Sequence, residues 1–189
     1  MIWLLACVPR ADSPEDSDRT DDSDTGGGGA ADDARVRALT GLPEGEVACA
    51  EPQLVRVDFT VDGDTFYAVP DGGGERVKVR VIGVDTPEVA HDDPAECYGD
   101  AAWDWARGEL EGRLVWLTYD AECFDIYDRT LAYVFRDTTE AGFFDRALAR
   151  NGYATELTIA PNDTYAQDIR ADVRAAREEH LGMWSACAR

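Results

Sequence analysis

Apolar and polar residues first alternate between Leu54 and Val61, with Val55, Val57, Phe59 and Val61 on one side of an extended chain and Leu54, Arg56, Asp58 and Thr60 on the other. A period of two marks a strand with one buried face. Asp62-Gly63 is a tight-turn signal, and Thr65 to Val69 reads as the returning strand. Asp71-Gly72-Gly73-Gly74 marks a second turn, ahead of a third strand over 76–84 with Val77, Val79 and Val81 on one face. From Tyr98 to Glu111 the spacing becomes helical, with Ala101, Trp105 and Leu110 as the expected buried positions. Leu114 to Tyr119 and Leu131 to Phe135 read as two more strands. Phe143 to Arg150 reads as a short helix stopped by Asn151-Gly152, and Tyr165 to Leu181 as a longer one stopped by Gly182. Five short strands in a meander with three α-helices predict an α+β, mainly β fold, a five-stranded Greek-key barrel of the OB type.

The stretch before the first strand has no such pattern. Met1 to Val8 is apolar, but eight residues fall short of the roughly 20 that span a bilayer. Leu4-Leu5-Ala6-Cys7 has the form of a bacterial lipobox, in which the Cys is lipidated and becomes the mature N-terminus. The basic n-region and long apolar h-region of an export signal are not in this stretch, and the lipoprotein reading places the true start codon upstream. Residues 10–34 are acidic and Gly-rich, too poor in apolar area to order themselves. The expected organisation is a signal remnant and disordered tether over 1–46 and one folded domain over 47–189. The protein is then exported, held at the cell envelope through lipidated Cys7 or extracellular, and monomeric with no protein partner.

Composition narrows the function classes. The 189 residues are 44% hydrophobic, enough for one core and too short a chain for a two-domain dinucleotide-binding enzyme. The net charge is −21, and residues 47–189 alone carry 28 acids against 14 bases, which argues against holding nucleic acid on a broad basic face. Lys78 is the only Lys. With Cys7 set aside, Cys49, Cys97, Cys123 and Cys187 remain, without a Cys-x-x-Cys and with only two His, so a zinc site is disfavoured. An even count in an exported domain suggests two disulfides. Three connectivities exist; the favoured one is Cys97–Cys123 with Cys49–Cys187, the second stapling the two ends of the domain. His91 and His180 are expected to be exposed and take no role, and the Arg170, Arg174, Arg177 face of the last helix reads as a solvated face with local ion pairs.

Three segments carry chemistry: Val61-Asp62-Gly63-Asp64-Thr65, then Arg80 through Asp85-Thr86-Pro87-Glu88, then Asp125-Ile126-Tyr127-Asp128-Arg129. They put carboxylates at two strand ends beside two Arg. Hard oxygen ligands suit Ca²⁺ or Mg²⁺, Arg forks suit a phosphate whose charge grows in the transition state, and Glu88 is placed to act as base for a water. Such a set is a phosphodiester-hydrolysis kit.

The segments resemble the staphylococcal nuclease family over about residues 53–185, including Cys97-Tyr98-Gly99 at the first helix, Pro161-Asn162-Asp163-Thr164 before the last and Gly182-Met183-Trp184-Ser185 at the end. The resemblance implies that Asp64 and Asp85 ligate one Ca²⁺ through side-chain oxygens and Thr86 through its carbonyl, with Asp62 behind them. It implies that Glu88 orients or deprotonates the attacking water, that Arg80 and Arg129 clamp the phosphate, and that Tyr127 touches a phosphate or the nucleotide. The implied activity is Ca²⁺-dependent endo- and exonucleolytic hydrolysis of DNA and RNA to 3′-phosphates. The sequence departs from the family at Asp128, where Gly is usual and where a carboxylate is expected to pair with Arg129 or face solvent. Leu157 and Ile159 stand in place of two Tyr that pack the base. The competing readings are a non-catalytic OB-type binding module and an envelope lipoprotein that only binds divalent cations.

Overall fold

A computed structural model describes residues 29–45, 47–90 and 94–187. Cys7, the rest of residues 1–28, and His91 lie outside the described residues. Strands β1 (Gln53–Thr60), β2 (Thr65–Pro70), β3 (Val77–Val81), β5 (Leu114–Thr118) and β6 (Thr130–Phe135) close into a barrel in the order β1-β2-β3-β6-β5. Every ladder is antiparallel except β3 with β6, which is parallel and pairs Arg80 with Leu131. This is the expected five-stranded OB-type barrel, and closure leaves it no free sheet edge.

The helices read from the sequence are α2 (Gly99–Leu110), α3 (Phe144–Arg150) and α4 (Ala166–Glu178); α1 (Ala30–Arg37) and α5 (Met183–Ala186) are additional. Ala106, Leu110, Phe144, Leu148, Ile169 and Val173 bring α2, α3 and α4 into one core with Val55, Val57, Phe66, Val79 and Val81 from the barrel. The buried line of α2 is Gly99, Ala102, Ala106 and Leu110, one position along from the expected Ala101 and Trp105. Trp103, Trp105, Trp116 and Trp184 are half-buried, and Trp105 and Trp184 pack against the margin of this core.

Two departures from strict alternation shape the barrel. A bulge between Val57 and Phe59 flips the end of β1, so Phe59 is exposed while Thr60 is buried. The third predicted strand divides at Ile82, because Gly83 takes φ +82 and a Cβ there would lie 2.5 Å from Ile169 Cδ1. Its second part, β4 (Gly83–Asp85), leaves the barrel and pairs with β7 (Thr155–Leu157), with Asp85 opposite Thr155. β7 carries no strong period and was not expected.

α1 lies inside the segment assigned to the tether. It buries no side chain of its own, and contacts to the barrel hold it. Arg37 forks onto Asp71 with two bonds of 2.8 Å, Arg56 pairs with Asp33, and the Trp116 indole donates to the Val36 carbonyl at 2.8 Å. No helix among the described residues is long and apolar enough to cross a membrane.

The disulfides are Cys49–Cys123 and Cys97–Cys187, each with Cα atoms 5.8 Å apart, which corrects the favoured pairing. Local strand-like bonding explains the first: Gly45 N–H donates to the Tyr119 carbonyl and Cys49 N–H to that of Asp120, laying residue 49 beside the chain leaving β5. For the second, Met183 N–H donates to the Gly152 carbonyl while Tyr98 stacks on Tyr153, which brings the chain end to the start of α2.

Asp145, in the first turn of α3, is fully buried. Its Oδ1 accepts the Val134 N–H at 2.9 Å and its Oδ2 has no partner. Burial pushes its carboxyl well above the ordinary range, with the Val134 bond opposing. The folded chain therefore keeps a proton that the unfolded chain releases, and stability falls as pH rises past the ordinary carboxyl value of about 4. Asp145→Asn should be more stable than the parent at pH 7, by about 1–3 kcal/mol. Urea melts should show that gap closing toward pH 4; a gap that stays constant with pH excludes this account.

Candidate active site

The turn after β1 and the end of β4 bring two carboxylates to one cation. Arg80, on β3 and only 12% exposed at its side chain, lies 3.1 Å from Asp64 Oδ1 through Nη1 and 3.0 Å from Asp85 Oδ1 through Nη2. Nη1 also donates to the Val81 and Val84 carbonyls at 2.8 and 2.9 Å. The guanidinium is thereby fixed in one orientation by four acceptors, which a flexible ammonium could not match. Asp64 Oδ2 accepts the Thr86 N–H at 2.8 Å and the Thr86 hydroxyl at 3.1 Å, and the Thr65 hydroxyl bonds Oδ1. Asp62 Oδ1 accepts the Asp64 N–H at 3.0 Å and braces the turn from behind. Asp62, Asp64, Arg80, Asp85 and Thr86 thus form one connected cluster.

The cluster is short of positive charge. Burial, with the Asp62 charge adding to it, pushes the Asp64 carboxyl up to about 6 against the pull of Arg80 and the Thr86 bonds. Burial and the Asp64 charge also raise Asp85. Two crowded carboxylates facing a carbonyl-bearing turn offer hard oxygen donors to a divalent cation. Among the described residues no group of three or more His, Cys, Asp or Glu is placed to hold a metal, so such an ion would complete its shell with the Thr86 carbonyl and water, as Ca²⁺ and Mg²⁺ accept. The residues fit a hard divalent cation.

Glu88 follows on the exposed segment beyond β4. Its backbone is pinned to the start of α2: the Glu96 N–H donates to the Glu88 carbonyl at 2.9 Å and Glu96 Oε2 accepts the Glu88 N–H at 3.1 Å. A Cβ on Gly99 would sit 2.2 Å from that carbonyl oxygen, which explains the Gly of Cys97-Tyr98-Gly99. Among the described residues no hydrogen bond or ion pair joins the Glu88 carboxylate to the cluster.

The third segment is a turn between β5 and β6. Arg129 Nε donates to Asp125 Oδ2 at 2.6 Å, and Asp125 Oδ1 accepts the Tyr127 and Arg129 N–H groups at 2.9 Å each. Asp125 is therefore the residue that orders the turn, and it was missed as a functional position; an Asp ahead of a five-residue turn is the readable signal. Asp128 takes φ 62, the conformation that favours Gly there, and is exposed; it is Asp125 that pairs with Arg129. Arg80 and Arg129 share a cleft of about 610 Å³ whose other walls include Phe124, Tyr127, Leu157 and Ile159. Tyr127 is 74% exposed, so its ring is free to meet a ligand. Arg129 lies 5.5 Å from the centre of that ring.

Among the described residues, the expected local ion pairs of the last helix are not formed along it. Arg170 reaches Glu156 of β7 instead, at 2.9 Å.

The profile of the staphylococcal nuclease homologue family matches residues 78–186, more than half of the chain. The chain belongs to the staphylococcal nuclease family. It is 40% identical over 129 residues to a thermonuclease of Staphylococcus intermedius, covering 68% of this chain and 74% of that protein. It is 35% identical over 137 residues to a thermonuclease of Staphylococcus hyicus, covering 72% and 78%. Endonuclease YncB of Bacillus subtilis is 31% identical over 137 residues, covering 69% and 61%. In this member of the family Arg80, Tyr127 and Arg129 line one cleft, and Asp64 and Asp85 adjoin it through their ion pairs with Arg80.

Proposed function

We propose that the chain is a Ca²⁺-dependent nuclease that hydrolyses DNA and/or RNA to 3′-phosphate products, acting both within chains and from their ends. The observation that carries this reading is Arg80, which holds Asp64 and Asp85 with one guanidinium while lining the same cleft as Arg129. Asp64, Asp85 and the Thr86 carbonyl would hold one Ca²⁺. When bound, the ion supplies positive charge against the phosphate and acidifies water. Arg80 and Arg129 grip the scissile phosphate and offset the charge that grows as it becomes five-coordinate. Glu88 takes a proton of the attacking water as the water oxygen bonds phosphorus; the bond to the 5′ oxygen breaks, that oxygen takes a proton from solvent to leave as a hydroxyl, and the phosphate stays on the 3′ side. Tyr127 rests on the phosphate or the base. The net negative charge is compatible with this role, because a hydrolase needs positive charge only at the scissile phosphate.

Export is part of the proposal. Two disulfides in a small domain suit an oxidising compartment, and Leu4-Leu5-Ala6-Cys7 supplies a lipid-anchor sequence that would hold the domain at the envelope. We take the domain to act as a monomer.

The test is degradation of single-stranded DNA in a Ca²⁺ series. Cleavage should rise with Ca²⁺, stop on addition of chelator and return when Ca²⁺ is restored in excess. No cleavage across the Ca²⁺ and salt range would sink the enzyme assignment, and binding without cleavage would mark a binding module.

A further inference from the structure

We propose that the groove between α4 and β7 is a second phosphate-binding track, which holds the backbone of a single-stranded substrate beyond the scissile position. The inference rests on the nuclease reading and adds to it a preference for longer chains.

The groove has a volume of about 310 Å³ and is lined by Thr155, Glu156, Arg170, Val173, Arg174 and Arg177. Ile169 and Ala176 are buried on the other side of α4, and Val173 is buried at the groove's floor. Residues 170, 174 and 177 follow helical spacing, so their three Arg share the outward face, about 6 and 4.5 Å apart along the axis. All three are exposed. Elsewhere on the domain cations are largely neutralised: Arg76 pairs with Asp58, Arg107 with Asp104, Arg146 with Asp172 and Arg150 with Glu179. Arg174 and Arg177 have no carboxylate partner among the described residues. Arg177 instead lies over the Trp184 ring at 4.1 Å, which keeps the guanidinium positioned while leaving its charge uncompensated. Glu156 is the one carboxylate in the groove, and it engages Arg170.

Position selects the ligand. β7 borders both sites: Leu157 lines the cleft of Arg80 and Arg129, while Thr155 lines the groove. Thr155 lies opposite Asp85 in the β4–β7 ladder, and its hydroxyl donates to the Asp85 carbonyl at 3.3 Å. A polymer held at the cluster therefore passes from Asp85 over Thr155 directly into the Arg groove. A repeating phosphodiester has an anion to offer at each step; a mononucleotide or a free anion does not span the two.

The experiment measures binding by fluorescence anisotropy in chelator, with a dinucleotide and a single strand of about twelve nucleotides, and KM for both in Ca²⁺. Arg174→Ala removes a side chain with no hydrogen bond or ion pair among the described residues, so folding should be unaffected. It should raise Kd and KM for the longer strand about threefold to tenfold, leave the dinucleotide unchanged, and flatten the salt dependence of binding by about 0.7 in log–log slope, the value of one phosphate contact on a single strand. Glu156→Gln, which frees Arg170, should tighten binding of the longer strand only. Arg113→Ala, a cation without a carboxylate partner outside the groove, should change neither. An unchanged longer strand in Arg174→Ala, or equal shifts for both lengths, overturns the proposal. A longer strand that binds with the expected dependences but is never cut in Ca²⁺ overturns the nuclease reading and leaves the groove standing.

Discussion

Arg80→Ala should lower cleavage by about 10³–10⁵, the range spanned when an Arg that meets the charge of a transferring phosphoryl group is lost. The size of the effect comes from the double duty of the side chain. Arg80 faces the cleft beside Arg129, and the same guanidinium holds Asp64, Asp85 and the carbonyls of Val81 and Val84. Without it, Asp64 loses the charge that opposes burial, and its carboxyl, already pushed up to about 6, moves higher. The carboxylates then hold protons at a pH where they should bind a cation. Arg80→Lys restores a charge but not the fork, so it should recover stability and most cation affinity while remaining far below the parent in turnover. Single-turnover rates at saturating Ca²⁺, with a thermal melt of each variant, separate the two duties. Arg80→Ala within about tenfold of the parent, though folded, would place the phosphate clamp elsewhere.

The first three strands were legible from a period of two bounded by Gly-containing turns, and the last two as short apolar runs of strand length; five such strands suit a closed barrel. The bulge at Val57/Phe59 was not, since Phe59 continues the apolar alternation and only the β2 pairing register shows that the face changes. Gly83 divided what reads as a single strand over 76–84, because the sequence carries no sign that Ile169 of a distant helix needs the space a Cβ would take. α1 was hidden for a related reason: its stability lies in Arg37–Asp71 and Arg56–Asp33, pairs distant in sequence, and not in an apolar stripe. At the site, motif residues were readable by type, and the structure connects Asp62, Asp64, Arg80, Asp85 and Thr86 into one cluster. The role of Asp125 was not legible because Asp128, beside Arg129 in sequence, offers the same carboxylate, and only the fold shows that Asp128 faces solvent while Asp125 pairs with Arg129. The uncompensated charge on α4 depends on where Glu156 lies, and no helix-period argument reaches a partner on another element.

Replacing both Cys49 and Cys123 by Ser should lower stability by about 4 kcal/mol, the chain-entropy value for a link spanning 74 residues. The Cys97/Cys187 pair, spanning 90 residues, should lose a similar amount when replaced. The two should differ in kinetics. Cys123 stands at the foot of the Arg129 turn: its carbonyl accepts the Leu131 N–H at 2.8 Å, and Phe124 bridges to Thr130. Through Cys49, whose N–H bonds the Asp120 carbonyl, the link ties that foot to the edge of the barrel. Cutting it leaves Asp125 to order Tyr127 and Arg129 alone, so KM should rise severalfold and kcat should fall with it, because Arg129 also meets the charge of the transition state. The Cys97 link instead sits next to Glu96 and Gly99, which pin the Glu88 backbone, and its loss should appear in kcat with KM little changed. Steady-state kinetics well below each variant's melting temperature reads the split. Equal shifts of KM in both pairs would mean that the links loosen the domain as a whole and position neither loop.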